Sequence, residues 1–67
     1  MFKEKAGVNA GKIWSTLNGT EGLTQKQIKK ANKKMIDKDF FLGLGWLLKE
    51  EKVSADIVDG ELFVKLI

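Results

Sequence analysis

The densest chemistry in this chain is a run of five lysines, Lys26, Lys29, Lys30, Lys33 and Lys34, within nine residues. Lysine ammoniums neutralise phosphates without reading bases, so such a run suits salt-dependent contact with a polyanion. Its plainer reading is the solvated face of a helix. Every basic side chain is lysine, and with no arginine there is no planar fork to grip a guanine edge. Lys38 and Lys49 continue the cationic set into the next element.

Catalytic chemistry finds little to work with. The chain has no His, Cys or Tyr. That removes the usual general base at neutral pH, a reactive thiol, and the imidazole and thiolate ligands of transition metals. Asp37 and Asp39 are two apart and Glu50 and Glu51 are adjacent, so neither pair shares a helical face; capping and solubility account for them. Gly43-Leu44-Gly45 lies inside a helix and is followed by Leu48 where a dinucleotide fingerprint needs glycine, so it reads as close packing of a helix; Gly19-Thr20-Glu21-Gly22 lacks the Lys-Ser/Thr of a phosphate loop and reads as a turn. No enzyme, cofactor, metal site or small-molecule substrate is expected.

The lysine run must be carried by a helix. Thr24 and Gln27 form a capping box, with Leu23 and Ile28 placed as a hydrophobic staple. Ile28, Ala31 and Met35 then line one face, and the five lysines fall on an arc of roughly 140° opposite it, at about 100° per residue. Before it, residues 3–18 read as a first helix whose stripe is Ala6, Ala10, Ile13, Trp14 and Leu17, stopped at Asn18-Gly19. Gly7 and Gly11 cost this helix about 1 kcal/mol each, which either close approach of another backbone or a frayed first turn would explain. A brief strand is expected near Leu23. A third helix, capped by Asp37 or Asp39, runs to about Glu51 with Phe40, Leu44, Leu47 and Leu48 inward. Its opposite face carries Lys38, Leu42, Gly45 and Lys49, flanked by Phe41 and Trp46.

Asp59-Gly60 is a type I′ turn signal. It sets Ile57 against Leu62, Ala55 against Val64 and Val53 against Leu66, an apolar face that can close a core. Val58–Glu61, Asp56–Phe63 and Ser54–Lys65 form the other face. Helices two and three, joined at residues 35–38, can make a helix-turn-helix, and the hairpin stands where a wing would be. The layout is α+β: a winged helix-turn-helix of three helices followed by a C-terminal two-stranded hairpin.

Sixty-seven residues fit a single domain, residues 1–67. Such a chain buries only about 60% of its unfolded surface, and without cysteines the core must hold the fold alone. A hydrophobic content of 43% is enough for that and argues against disorder. Residues 1–15 contain no apolar run, and the longest uncharged stretch, Phe40 to Leu48, is far short of the roughly 20 residues that cross a bilayer. The expectation is a cytoplasmic protein without membrane contact.

Four blocks carry a family resemblance: Gly11-Lys12-Ile13-Trp14 with Leu17; Gly22-Leu23-Thr24 leading to Ile28-Lys29-Lys30; Asp39-Phe40-Phe41-Leu42-Gly43-Leu44-Gly45-Trp46-Leu47; and Glu50-Glu51-Lys52-Val53. Over nearly its whole length the chain resembles the small winged helix-turn-helix domains of uncharacterised bacterial proteins, a family of unknown function. The resemblance implies the fold and, by analogy, a role in DNA binding and transcription regulation. It implies no activity and assigns no residue.

Two partners therefore compete. Double-stranded DNA would meet Lys26, Lys29, Lys30, Lys33, Lys34, Lys38 and Lys49 through phosphates. Against base reading, residues 37–52 are net −1, the third helix has no Arg, Asn or Gln, and Asp56, Asp59 and Glu61 make the wing acidic. Alternatively, a second copy or another protein would meet Phe41, Leu42 and Trp46, extended by Phe63 on the outer hairpin face, unless those rings belong to the core.

Overall fold

The computed structural model describes residues 2–67. Three helices and three strands follow in the order α1 (Phe2–Leu17), β1 (Leu23–Thr24), α2 (Gln25–Ala31), α3 (Asp37–Lys49), β2 (Val53–Val58) and β3 (Glu61–Leu66). The short strand anticipated near Leu23 adds to the hairpin, so the sheet is three-stranded with β3 between β1 and β2, all antiparallel.

Ala6, Ala10, Ile13 and Leu17 are buried along α1 as their spacing requires, and Gly19 takes φ +85° just past its end. Trp14, expected in that stripe, is 40% exposed. The buried face is turned the other way, towards Asn9, which is only 8% exposed. Apolar counting favours a tryptophan over an asparagine, whereas the packing against α3 does not.

The capping box forms as written: Gln27 N–H donates to Thr24 Oγ1 at 3.2 Å, and Thr24 N–H donates to Gln27 Oε1 at 2.9 Å. α2 then stops early. Asn32 leaves the helix, its backbone N–H shared between the carbonyls of Ile28 and Lys29, and its side chain donates to Ile28 O at 2.9 Å. An asparagine that bonds back to the backbone competes with helix propagation. Met35 is buried beside Ile28 as expected, but from the turn, and Ala31 is exposed. Lys33 and Lys34 lie in that turn, so only Lys26, Lys29 and Lys30 share the helix. The connection spans residues 32–36 rather than 35–38.

α3 is not capped by Asp37 or Asp39. Its N-cap is Ile36, with no side-chain bond, and both aspartates sit in the first turn, where carboxylates favour the helix dipole. Phe40, Gly43, Leu44 and Leu47 form its buried face. Leu48, expected inward, is 42% exposed because that face is rotated towards Gly43. There α1 comes closest: a Cβ at Gly43 would lie 2.7 Å from the Asn9 carbonyl carbon and 2.8 Å from Ala10 N. Gly7 and Gly11, expected to admit a neighbour, have no atom within 4 Å of where a Cβ would be. The helix ends at Lys49, before Glu51, in a Schellman motif. Glu51 N–H donates to Leu48 O at 3.1 Å, Lys52 N–H donates to Leu47 O at 2.9 Å, and Glu51 takes φ 57°.

The hairpin register matches the expected pairs one for one, from Val53–Leu66 to Val58–Glu61, with Asp59 and Gly60 at φ 52° and 79°. Val53 and Val64 are buried, and Ala55, Leu62 and Leu66 pack beside them. Ile57 shares their face but is 69% exposed, because the turn end of the hairpin projects past the helices.

Candidate nucleic-acid interface

Two of the α2 lysines are already engaged. Lys26 reaches Glu61 on β3 at 3.5 Å. Lys29 donates to Asp37 at the start of α3, and Gln25 Nε2 donates to the same carboxylate oxygen at 3.3 Å. The hydrogen bond and charge of Lys29 hold the Asp37 carboxyl below its ordinary range. These contacts tie α2 to the wing and to α3. Lys30 stands exposed on α2 and Lys49 on the last turn of α3; Lys38 is exposed in the first turn of α3.

Lys33 and Lys34 meet Lys12 of α1 around one cleft of about 280 Å³, with Asn9, Asn32, Met35 and Asp39 completing its walls. A hydrogen-bond chain fixes the two sides. The Thr16 hydroxyl donates to Lys12 O at 2.7 Å and accepts from Asn32 Nδ2 at 2.9 Å, and the same nitrogen donates to Ile28 O. An adjoining depression adds Glu4, Lys5 and Val8. Among the described residues, Lys12, Lys33 and Lys34 have no carboxylate within ion-pair distance. Sequence reasoning missed Lys12, Asn9 and Asn32. Asn9 and Lys12 are three apart and share a face of α1, but only the packing of the turn onto α1 brings Lys33 and Lys34 to them.

The aromatic candidates separate. Phe41 is 52% exposed, its ring edge-on to Phe40 with centroids 5.2 Å apart, and with Gly45 and Leu48 it makes an exposed stripe on α3. Leu42 and Trp46 are half-buried, with Trp46 packed on the core. Phe63 is half-buried too: its ring lies over Gly22, where a Cβ would overlap it. Trp14 and Trp46 flank a groove of about 350 Å³ between α1 and α3, with Gly7, Gly11 and Glu50 on its walls. Among the described residues, no three His, Cys, Asp or Glu side chains gather as a metal site, and no helix is long and apolar enough to cross a membrane.

A family model described as a winged helix-turn-helix domain (DUF2582) matches residues 1–66. Among solved structures, the solution NMR structure of protein BT2368 from Bacteroides thetaiotaomicron is similar at 29% identity and a TM-score of 0.84, covering 98% of this chain and 79% of that one. Among the curated proteins, none matches this chain.

Proposed function

The chain belongs to the winged helix-turn-helix family DUF2582, and from that premise we propose that it is a binding module for double-stranded DNA that grips phosphates and does not read bases. The observation that carries this reading is the convergence of Lys12, Lys33 and Lys34 from two elements on one cleft, with Lys30 exposed on α2 nearby in sequence. Free of ion pairs, these ammoniums keep their charge available for counterion exchange. α3, the helix that reads bases in this kind of fold, exposes Lys38, Phe41, Gly45, Leu48 and Lys49, a set with no bidentate partner for a base edge. The wing adds Asp56 and Asp59, which repel phosphate, and Glu61, whose charge Lys26 offsets. Affinity is therefore electrostatic and weak for the domain alone. A regulatory role in transcription, in the bacterial cytoplasm, would need a partner or a second domain to supply sequence preference.

The test is an amide NMR titration with short duplexes of unrelated sequence, at about 50 mM and then 200 mM salt. The expected result is equal binding to every duplex at low salt and its loss at high salt. A duplex preferred over the others at high salt would refute phosphate-only contact, and silence at both salts would remove DNA as the partner.

One observation favours a second reading, a protein partner or a second copy: the exposed Phe41–Gly45–Leu48 stripe on α3. Leu42, Trp46 and Phe63 contribute less than their types promise, being half-buried. This reading expects a mass that rises with concentration and a Phe41→Ser variant that folds but stays monomeric. A monomer at millimolar concentration would refute self-association.

A further inference from the structure

The cleft between α1 and the α2–α3 turn has features that a solvated lysine surface lacks. The Thr16–Asn32 bridge ties its two walls together, so the backbone segments that carry Lys12 and the pair Lys33–Lys34 are held side by side. Asn9 is 8% exposed, lines the cleft, and its side-chain amide has no hydrogen-bond partner among the described residues. Its amide atoms still reach solvent at the cleft, so they are open to a ligand. Both Asn32 amide hydrogens are spent on Thr16 and Ile28, so Asn32 shapes the wall and Asn9 is the remaining neutral donor. Asp39 opposes an anion here, and three lysines against that one carboxylate leave the lining at +2.

We propose that this cleft is a phosphate seat, with the ammoniums of Lys12, Lys33 and Lys34 and the Asn9 amide as its donors, and that its occupant is a backbone phosphate of bound nucleic acid. The identity of the occupant rests on the DNA reading above; the seat itself does not. The consequence is a docking mode in which the strand lies along α1 and the turn, away from the acidic wing. A tetrahedral oxyanion matches this chemistry, since several ammonium point charges and a neutral N–H line one cleft.

Two titrations of the whole chain, one with pyrophosphate and one with a short duplex, test the seat by amide NMR at low salt. The expected result is that both ligands shift the Asn9 side-chain amide and the backbone of residues 32–35, leaving residues 41–49 unmoved. Lys33→Gln with Lys34→Gln should reduce the salt slope of duplex binding by about 1–2. Lys52→Gln with Lys65→Gln, the same charge change at exposed lysines outside the candidate set, should leave most of that slope in place. Asp39→Asn should tighten both ligands. If pyrophosphate fills the cleft while the duplex shifts other residues or none, the nucleic-acid occupant is overturned and the seat belongs to a free anion. If the duplex binds through α3 and the wing while pyrophosphate moves nothing, the seat is overturned and the DNA reading stands. Equal loss in the two double variants would reduce the cleft to general field and overturn it as well.

Discussion

Gly43 and Gly45 sit two residues apart on one helix, yet replacing each with alanine should change stability in opposite directions. A Cβ at Gly43 would meet the backbone of α1 at 2.7 and 2.8 Å, about 0.7 Å inside the 3.4 Å at which ordinary contact begins. The obstacle is backbone, not the end of a flexible side chain, so α1 must shift as a body against its main packing partner. Overpacking of this kind costs about 1–3 kcal/mol, and a rigid neighbour places it in the upper part of that range. Replacing a mid-helix glycine returns about 1 kcal/mol. The net is a loss of about 1–2 kcal/mol. At roughly 4–8 °C per kcal/mol for a domain of this size, the melting temperature should fall by about 5–15 °C.

Gly45 is exposed, with no atom within 4 Å of the added methyl. Only the propensity gain remains, and Gly45→Ala should raise the melting temperature by about 4–8 °C. Paired thermal melts followed by far-ultraviolet circular dichroism, with urea titrations read by tryptophan fluorescence, measure both changes. A Gly43→Ala variant as stable as Gly45→Ala would show that α1 does not lie this close to α3, and the placement of Asn9 in the cleft wall would fall with it.

Two further perturbations follow from local geometry. Glu51 holds φ 57° as the residue just past α3, and Glu51→Gly should stabilise by about 1 kcal/mol in the same denaturation assays, since only the left-handed strain is removed; destabilisation would contradict the Schellman ending. The Asp37 carboxyl is held low by Lys29, so the contribution of this pair is present above the ordinary carboxylate range and is lost as pH falls through the depressed value. Lys29→Gln should raise the Asp37 midpoint in a side-chain NMR titration, and an unmoved midpoint would remove Lys29 as the cause.

What the sequence made legible was whatever depends on neighbours along the chain. The capping box at Thr24, the Asp59-Gly60 turn and all six hairpin pairs are local or follow from one turn by counting. The brief strand at Leu23 and the burial of Ile28, Phe40 and Val64 came through as well. The failures share a different cause. Periodicity ranks side chains by apolarity, so it placed Trp14 and Leu48 inward; the close packing read from Gly43-Leu44-Gly45 is found at Gly43, where the two helices close, and not at Gly45. Periodicity also ran α2 on through Asn32, whose side chain instead bonds back to Ile28 O and across to Thr16, sixteen residues away, a partner that it does not see. With α2 ended at Asn32, Lys33 and Lys34 lie in the turn and reach the cleft.

The same displacement changes what the fold can mean here. Analogy with winged helices would put α3 in a groove and the hairpin beside a phosphate backbone. In this chain those two elements carry the exposed Phe41 and Leu48, and Asp56, Asp59 and Glu61, while Lys12, Lys33 and Lys34 gather where α1 meets the turn. Electrostatic steering acts on the charge distribution before any groove contact forms. A polyanion approaching this surface is drawn to the α1 side and pushed from the wing tip. If α3 nonetheless enters the groove, it must do so against that field, with Lys38 and Lys49 as its outward cations. On the proposed DNA reading, the orientation of the complex therefore distinguishes a groove-bound α3 from a strand seated along α1 and the turn.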